Sequence, residues 1–268
     1  MITRFAPSPT GPLHLGHAFS AITAHDAAKA ADGRFLLRIE DTDTTRARPE
    51  WEAQIYDDLT WLGLSWEEPV LRQSDNVPAY EAALAGLPTF ACTCNRADIR
   101  AALSAPQENY GPDGLIYPGT CRNAGHPTQG AAVRLDMSAA VTALPKELQW
   151  FKDDTAQSYS SMRLIAEVGD IVLARRDTGI AAYHLAVVVD DAAQGITDVV
   201  RGADLEDATV IHVALQHLLA LPTPRYHHHR LIRDDAGKRL AKRDDARAIS
   251  KYRADGATPE DIRALVGL

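Results

Sequence analysis

The first sixty residues alternate strand-like and helix-like segments, and that alternation constrains the fold more than any other feature of the chain. Thr3–Ala6 reads as a short strand and runs into a Pro- and Gly-rich loop, Ala6-Pro-Ser-Pro-Thr-Gly-Pro12. From about His17 to Ala31 an alanine-rich run carrying Phe19, Ile22 and His25 predicts a helix, which Asp32-Gly33 ends. Phe35–Ile39 predicts a buried strand that closes on the acidic cluster Glu40-Asp41-Thr42-Asp43. Glu50–Leu62 predicts a second helix, with Ile55, Leu59 and Leu62 at helical spacing and Gly63 as its stop. Strand, helix, strand, helix in this order calls for right-handed crossovers and a parallel sheet, so the expected class is α/β.

The rhythm breaks between about residues 90 and 130, where all three cysteines lie among glycines and prolines. This stretch reads as an insertion too small to hold itself together without a staple. Further on, Asp170–Arg175 and a run through Val187-Val-Val-Asp190 predict the two arms of a hairpin around Asp177-Thr-Gly179. A helix over about Thr209–Leu219 follows, and a basic loop and helix close the chain. The expected division is therefore 1–90 and 131–225 as halves of one parallel-sheet domain, 91–130 as the insertion, and 226–268 as a terminal segment.

Charge and cysteine content narrow the classes. The net charge of −8 argues against a broadly basic nucleic-acid surface, yet ten Arg or Lys residues fall between 225 and 253. No apolar run approaches the ~20 residues that span a bilayer, and the N-terminus moves straight into motif-bearing sequence; the expectation is a cytoplasmic protein, a monomer with no membrane partner. Three cysteines clustered within thirty residues suit a metal better than a disulfide framework.

Three constellations carry chemistry. His14-Leu-Gly-His17 stands where a loop enters a helix, whose first N–H groups and positive dipole end favour phosphate. Two imidazoles three residues apart can reach one phosphate, and Gly16 lets a ligand ring come close to the backbone. The second is the cationic run Lys238-Arg-Leu-Ala-Lys-Arg243. The third is Cys92-Thr-Cys94 with Cys121: three thiolates fill three corners of a zinc tetrahedron, and Tyr117, Tyr110 and His126 all stand near enough in sequence to supply the fourth, histidine being the commoner ligand. His227-His-His229 could bind a metal but lacks an obvious set of partners and reads as a polar loop; Asp41 and Asp43 resemble a metal-binding pair and read as helix caps or loop hydrogen-bonders.

Arg4-Phe-Ala-Pro-Ser-Pro-Thr-Gly, then His14-Leu-Gly-His17, then Arg38-Ile-Glu-Asp-Thr-Asp43 resemble the opening of the glutamyl- and glutaminyl-tRNA synthetases, and the histidine tetrad is similar to the "HIGH" signature of class I synthetases. Arg239–Arg243 resembles the "KMSKS" loop, with Ala241 where the family usually has serine. The resemblance covers the chain and implies a Rossmann-like class I catalytic domain with a small zinc-bearing insertion and a C-terminal helical segment that contacts an RNA stem. It implies His14, Gly16, His17 and Lys242 at ATP, with His14, His17 and Lys242 catalytic, and Mg²⁺ accompanying the nucleotide. For L-glutamate it implies Arg4, Phe5, Ala6, Pro7, Ser8, Glu40, Tyr183 and Arg201, the arginines clamping carboxylates and Glu40 the ammonium. Within the family a short paralogue has a Cys-x-Cys…Tyr-x-x-x-Cys zinc set, which Cys92, Cys94, Tyr117 and Cys121 match. Only 25 residues follow Arg243, so no anticodon-binding domain is expected. That kinship implies activation of glutamate without tRNA and its transfer to queuosine in the anticodon of tRNA(Asp). Rival readings are an auxiliary synthetase charging an ordinary acceptor end, a zinc-bearing RNA-binding module without catalysis, and a class I-like ligase for a small molecule.

Overall fold

The computed structural model describes residues 1–103, 110–233 and 247–268. In chain order the elements are β1 (Ile2–Phe5), α1 (Leu15–Ala30), β2 (Arg34–Ile39), α2 (Pro49–Trp61), β3 (Glu67–Arg72), α3 (Val77–Ala85), β4 (Thr89–Cys92), α4 (Arg96–Ala101), β5 (Tyr110–Gly111), β6 (Gly114–Leu115) and β7 (Ala132–Leu135). After them come α5 (Met137–Ala140), β8 (Glu147–Lys152), β9 (Thr155–Ser160), α6 (Arg163–Glu167), β10 (Val172–Ala174), α7 (Tyr183–Ala193), β11 (Asp198–Gly202), α8 (Thr209–Leu218), β12 (Arg225–His229), α9 (Ile249–Ala254) and α10 (Pro259–Val266). They form two compact units, one of residues 1–76, 195–206 and 224–268, the other of 77–194 and 207–223. Among the described residues no helix is long and apolar enough to cross a membrane.

The first unit is the parallel α/β element that the opening alternation demands. β1 pairs with β2, and β2 with β3, all parallel. On the other side of β1, Thr197 at the entry to β11 exchanges hydrogen bonds with Ile2: Ile2 N donates to its Oγ1 at 2.8 Å and Thr197 N to the Ile2 carbonyl at 3.0 Å. β11 pairs in parallel with β12. Through this contact the β1-β2-β3 and β11-β12 ladders run outward from β1 and β11 in opposite directions, as at the switch point beside which open α/β sheets bind their ligands, at the carboxyl ends of the strands. Helix α1 buries Ala18, Ala21, Ala24 and Ala28 almost completely, small side chains that let its axis lie close to the sheet. Phe19 and Ile22 join Phe5, Leu37, Ile39, Ile55 and Leu59 in one apolar core. α10 is tied to α1 by Arg263, whose guanidinium lies 2.7 Å from Asp26 and holds that carboxyl below its usual range against the opposing effect of burial.

The second unit carries an antiparallel sheet in the order β10-β7-β4, the β8–β9 hairpin and the short β5–β6 hairpin. Buried Tyr80 on α3 donates its hydroxyl to the carboxylate of buried Asp190 on α7 at 2.8 Å.

Two expectations need correction. The turn at 177–179 exists, and Ala174 bridges Ala181 in antiparallel fashion, but the supposed second arm of the hairpin is helix α7. Leu185, Ala186, Val187 and Val188 are all nearly inaccessible and Asp190 is buried too, so the helix shows no polar face to betray its period, and the triple valine mimics a strand. The His227–His229 triplet is not a loop but most of β12, a parallel strand in which His227 Nε2 donates to the Asp198 carboxylate at 2.9 Å.

Candidate active site and metal centre

The turn into α1 is built by its own histidines. His14 is the N-cap and its Nδ1 accepts from Gly16 N at 3.1 Å; His17 Nδ1 accepts from His14 N at 3.1 Å. The two side chains thus close a reciprocal capping box, an arrangement usually made by Ser or Thr with Glu. With both Nδ1 atoms accepting from backbone N–H, each neutral imidazole must carry its proton on Nε2. The rings lie 3.8 Å apart, centroid to centroid. Gly16 has a steric purpose the sequence did not disclose: a side-chain carbon there would press to 3.0 Å from His14 Cε1.

The expected amino-acid contacts of the first unit lie in or just after its parallel strands, towards their carboxyl ends. Arg4 lies in β1 and Arg201 near the end of β11, both guanidinium-bearing side chains being only 5% exposed. Arg4 reaches the Val200 carbonyl at 3.5 Å. Arg201 donates to the Leu205 carbonyl at 3.1 Å and to His228 Nε2 at 3.3 Å, and it stands over the Tyr226 ring. Glu40 follows the end of β2, and its backbone N–H donates to the Pro7 carbonyl at 3.0 Å, tying the loop that carries Ala6, Pro7 and Ser8 to the strand end. Phe5 is a core side chain. Arg38, to which the sequence reading gave no role, is wholly buried with Nη2 3.3 Å from Glu40 Oε1; a lone arginine inside an apolar strand was the available signal. Asp41 and Asp43 are loop hydrogen-bonders, as expected: Asp41 accepts from Ser74 N and Oγ, Asp43 from Thr45 and Arg46.

The chain returns to the histidines from its far end. Ala248 forms an antiparallel bridge with His14, and Ile249 N donates to the Leu13 carbonyl at 2.9 Å. Lys242 and the rest of the cationic run lie outside the described residues. Tyr183 is in the second unit, as the first residue of α7, and 38% exposed.

The cysteines converge. Cys92 and Cys121 are buried, Cys94 is half-buried, and the three sulfurs lie within 4.8 Å of one another, the Cys94–Cys121 pair at 3.5 Å. Tyr117 settles at the same point: its hydroxyl is 3.4 Å from Cys92 Sγ and 3.6 Å from Cys94 Sγ, and it accepts from Cys121 N at 2.8 Å. His126 instead meets Thr93, and Tyr110 is 59% exposed on β5. Burial raises the Cys121 pKa, but hydrogen bonds from Tyr117, Thr93 and Cys94 outweigh it and hold the thiol at about 6. Burial pushes the Tyr117 phenol up, and its contacts with the cysteines push it further. Three sulfurs and a phenol oxygen at these separations can hold a metal ion. Arg134, which nothing in the sequence marked, lies 4.0 Å over the Tyr117 ring and donates to the Asp170 carbonyl at 2.7 Å, fixing the ring from behind.

Parallel strands, a histidine helix start after the first of them and two buried arginines fit a class I tRNA synthetase catalytic domain. The family model "tRNA synthetases class I (E and Q), catalytic domain" matches residues 1–268, and the chain belongs to that family. It is 59% identical over 285 residues to the glutamyl-Q tRNA(Asp) synthetase of Rhodobacter capsulatus, covering all of both chains, and 44% identical over 262 residues to that of Deinococcus radiodurans, covering 97% of this chain and 86% of the other. Within the family it therefore groups with the glutamyl-Q tRNA(Asp) synthetases. A solved glutamate-tRNA synthetase from Elizabethkingia anophelis has the same fold, with a TM-score of 0.77 at 24% identity; this chain spans 61% of its length.

Proposed function

We propose that the protein uses ATP to convert L-glutamate to glutamyl-adenylate without tRNA, and then transfers glutamate to queuosine in the anticodon of tRNA(Asp). The observation that carries the activation step is the bridge between Ala248 and His14. Lys242 precedes Ala248 by six residues. A fully extended chain of that length spans at most about 20 Å, which leaves Lys242 able to reach the early histidines. Both Nε2–H groups and the positive end of α1 suit a phosphate, and Lys242 suits the charge that builds on departing pyrophosphate. The glutamate α-carboxylate is ionised at neutral pH, so its attack on the α-phosphate requires no general base. Positioning and electrostatic stabilisation carry the step, with Mg²⁺ entering on the nucleotide.

Arg4 and Arg201 are the carboxylate clamps in this reading, with Glu40 and Ser8 at the substrate ammonium and polar edge and Tyr183 donating its hydroxyl. The cysteine centre holds one structural zinc through Cys92, Cys94, Tyr117 and Cys121. A zinc tetrahedron with Zn–S near 2.3 Å has edges of about 3.8 Å, close to the 3.5 Å between Cys94 and Cys121. A closed set of four leaves no open position for substrate. In the transfer step a queuosine ring hydroxyl attacks the mixed anhydride and releases AMP. The reaction is cytoplasmic in this reading, and the enzyme works as a monomer.

Two assays test it together. Glutamate-dependent ATP–pyrophosphate exchange without tRNA is expected, and labelled glutamate is expected on queuosine-bearing tRNA(Asp) but not on the unmodified tRNA. Equal labelling of both, or better labelling of tRNA(Glu), sinks the acceptor assignment.

A further inference from the structure

Two histidines that the proposed chemistry leaves unused sit beside the residue it needs in the second unit. His184, next to Tyr183 on α7, is 7% exposed, and His212 on α8 is 2% exposed. His184 Nδ1 lies 3.0 Å from His212 Nε2. On its other edge His184 Nε2 lies 3.1 Å from Asp113 Oδ1. Asp113 occupies the turn between β5 and β6, in the cysteine-bearing stretch. That hairpin is seated against the backbone of α6: a side-chain carbon on Gly111 would fall 2.3 Å from the Glu167 carbonyl oxygen.

The three groups have one consistent arrangement with neutral rings. A carboxylate only accepts, so the proton in the first contact is on His184 Nε2. Its Nδ1 is then the acceptor, and His212 donates from Nε2. The Tyr183 ring meets both imidazoles edge to face, 5.3 Å from His184 and 5.6 Å from His212. These two buried rings thus pack against the exposed aromatic at the first position of α7.

We infer that Asp113, His184 and His212 form a hydrogen-bonded chain that positions Tyr183 for the amino-acid substrate, making the hairpin of the cysteine-bearing stretch part of glutamate selection. This rests on the reading of Tyr183 as a glutamate contact. Orientation fixed before binding lowers the cost of ordering the side chain around the ligand, so the chain acts on glutamate affinity and not on the turnover of bound substrate.

The test is steady-state ATP–pyrophosphate exchange with the full chain. Asp113→Ala and His212→Phe each raise the glutamate KM about fivefold, leaving the ATP KM and kcat at saturating glutamate in place. Asp113→Asn keeps an oxygen that accepts from His184 and restores the glutamate KM. Asp113 is 42% exposed, so its variants fold even if His212→Phe does not, and thermal unfolding checks this. Wild-type kinetics for Asp113→Ala, equal impairment in Asp113→Ala and Asp113→Asn, or a joint loss of kcat, ATP affinity and thermal stability each overturn the positioning role. Tyr183→Phe separates the two layers. If it raises the glutamate KM while Asp113→Ala does not, the substrate reading stands and the positioning chain falls; if Tyr183→Phe changes nothing, both fall.

Discussion

The histidine helix start and the cysteine centre both hold polar groups in fixed register, but from unequal resources. The histidines stand on a sheet-and-helix core of more than a dozen buried apolar side chains. There the backbone suffices: each imidazole is locked by one N–H of its own turn. Around the cysteines the buried cluster consists of Cys92, Ile99, Tyr117 and Cys121, so three of its four members are the candidate ligands themselves. In the first region the core carries the site. In the second the site is most of the core, which is why a bound ion would contribute folding energy and not merely occupy a pocket.

Breaking the second region should therefore cost more stability than breaking the first. Cys94→Ala is expected to abolish stoichiometric zinc and destabilise its unit by about 3–5 kcal/mol, read by metal analysis and by proteolysis between Cys92 and Cys121, while whatever remains folded still forms adenylate. Full zinc stoichiometry in that variant would count against the ligand set. The mirror case is His14→Asn. Asparagine is as good an N-cap, so the unfolding midpoint should hold, but loss of the Nε2–H donor should lower kcat/KM for exchange about 100-fold, or about 2.7 kcal/mol. A variant that lost stability and kept its rate would reverse the comparison.

How much of this contrast was legible in the sequence depended on distance along the chain. β1, α1, β2 and α2 lie within two residues of where spacing puts them, and the histidine pair was visible because residues three apart share a helix face. The cysteines were visible as residue types, but spacing alone could not choose among Tyr117, Tyr110 and His126. The choice between them is made by the fold of a stretch with little periodicity. Arg134 and Asp113 reach their partners across 17 and 71 residues, which no local pattern encodes. α7 was misread because burial on nearly every side removes the amphipathic signal.

Smaller effects sharpen the contrast further. Asp58 on α2 is fully buried, its carboxylate oxygens have no hydrogen-bond partner among the described residues, and burial, then repulsion by Asp57, pushes its pKa up to about 6 against the pull of Arg253. A folded-state pKa raised from 3.8 to about 6 gives a stabilising contribution that is present below pH 4 and lost as the pH rises through 6. Asp58→Asn should accordingly raise the unfolding free energy by about 3 kcal/mol at pH 8, and the difference from wild type should vanish near pH 4. An advantage independent of pH would mean the site acts by packing. Last, Tyr117→Phe keeps the ring beneath Arg134 and removes only the phenol oxygen, so zinc affinity should fall about tenfold, with about 1–2 kcal/mol of apo stability lost because the Cys121 N–H loses its acceptor.

The first unit is threaded in three passes, and this has a consequence for biosynthesis. Once residue 76 has left the ribosome β1 can pair with β2 on one side, but its other side waits for Thr197 at the entry to β11, some 120 residues later. The intervening 77–194 is by then almost all of the second unit. A nascent chain arrested near residue 190 should thus display a protease-resistant cysteine region beside an open parallel edge, ready to pair wrongly until translation delivers the closing strand.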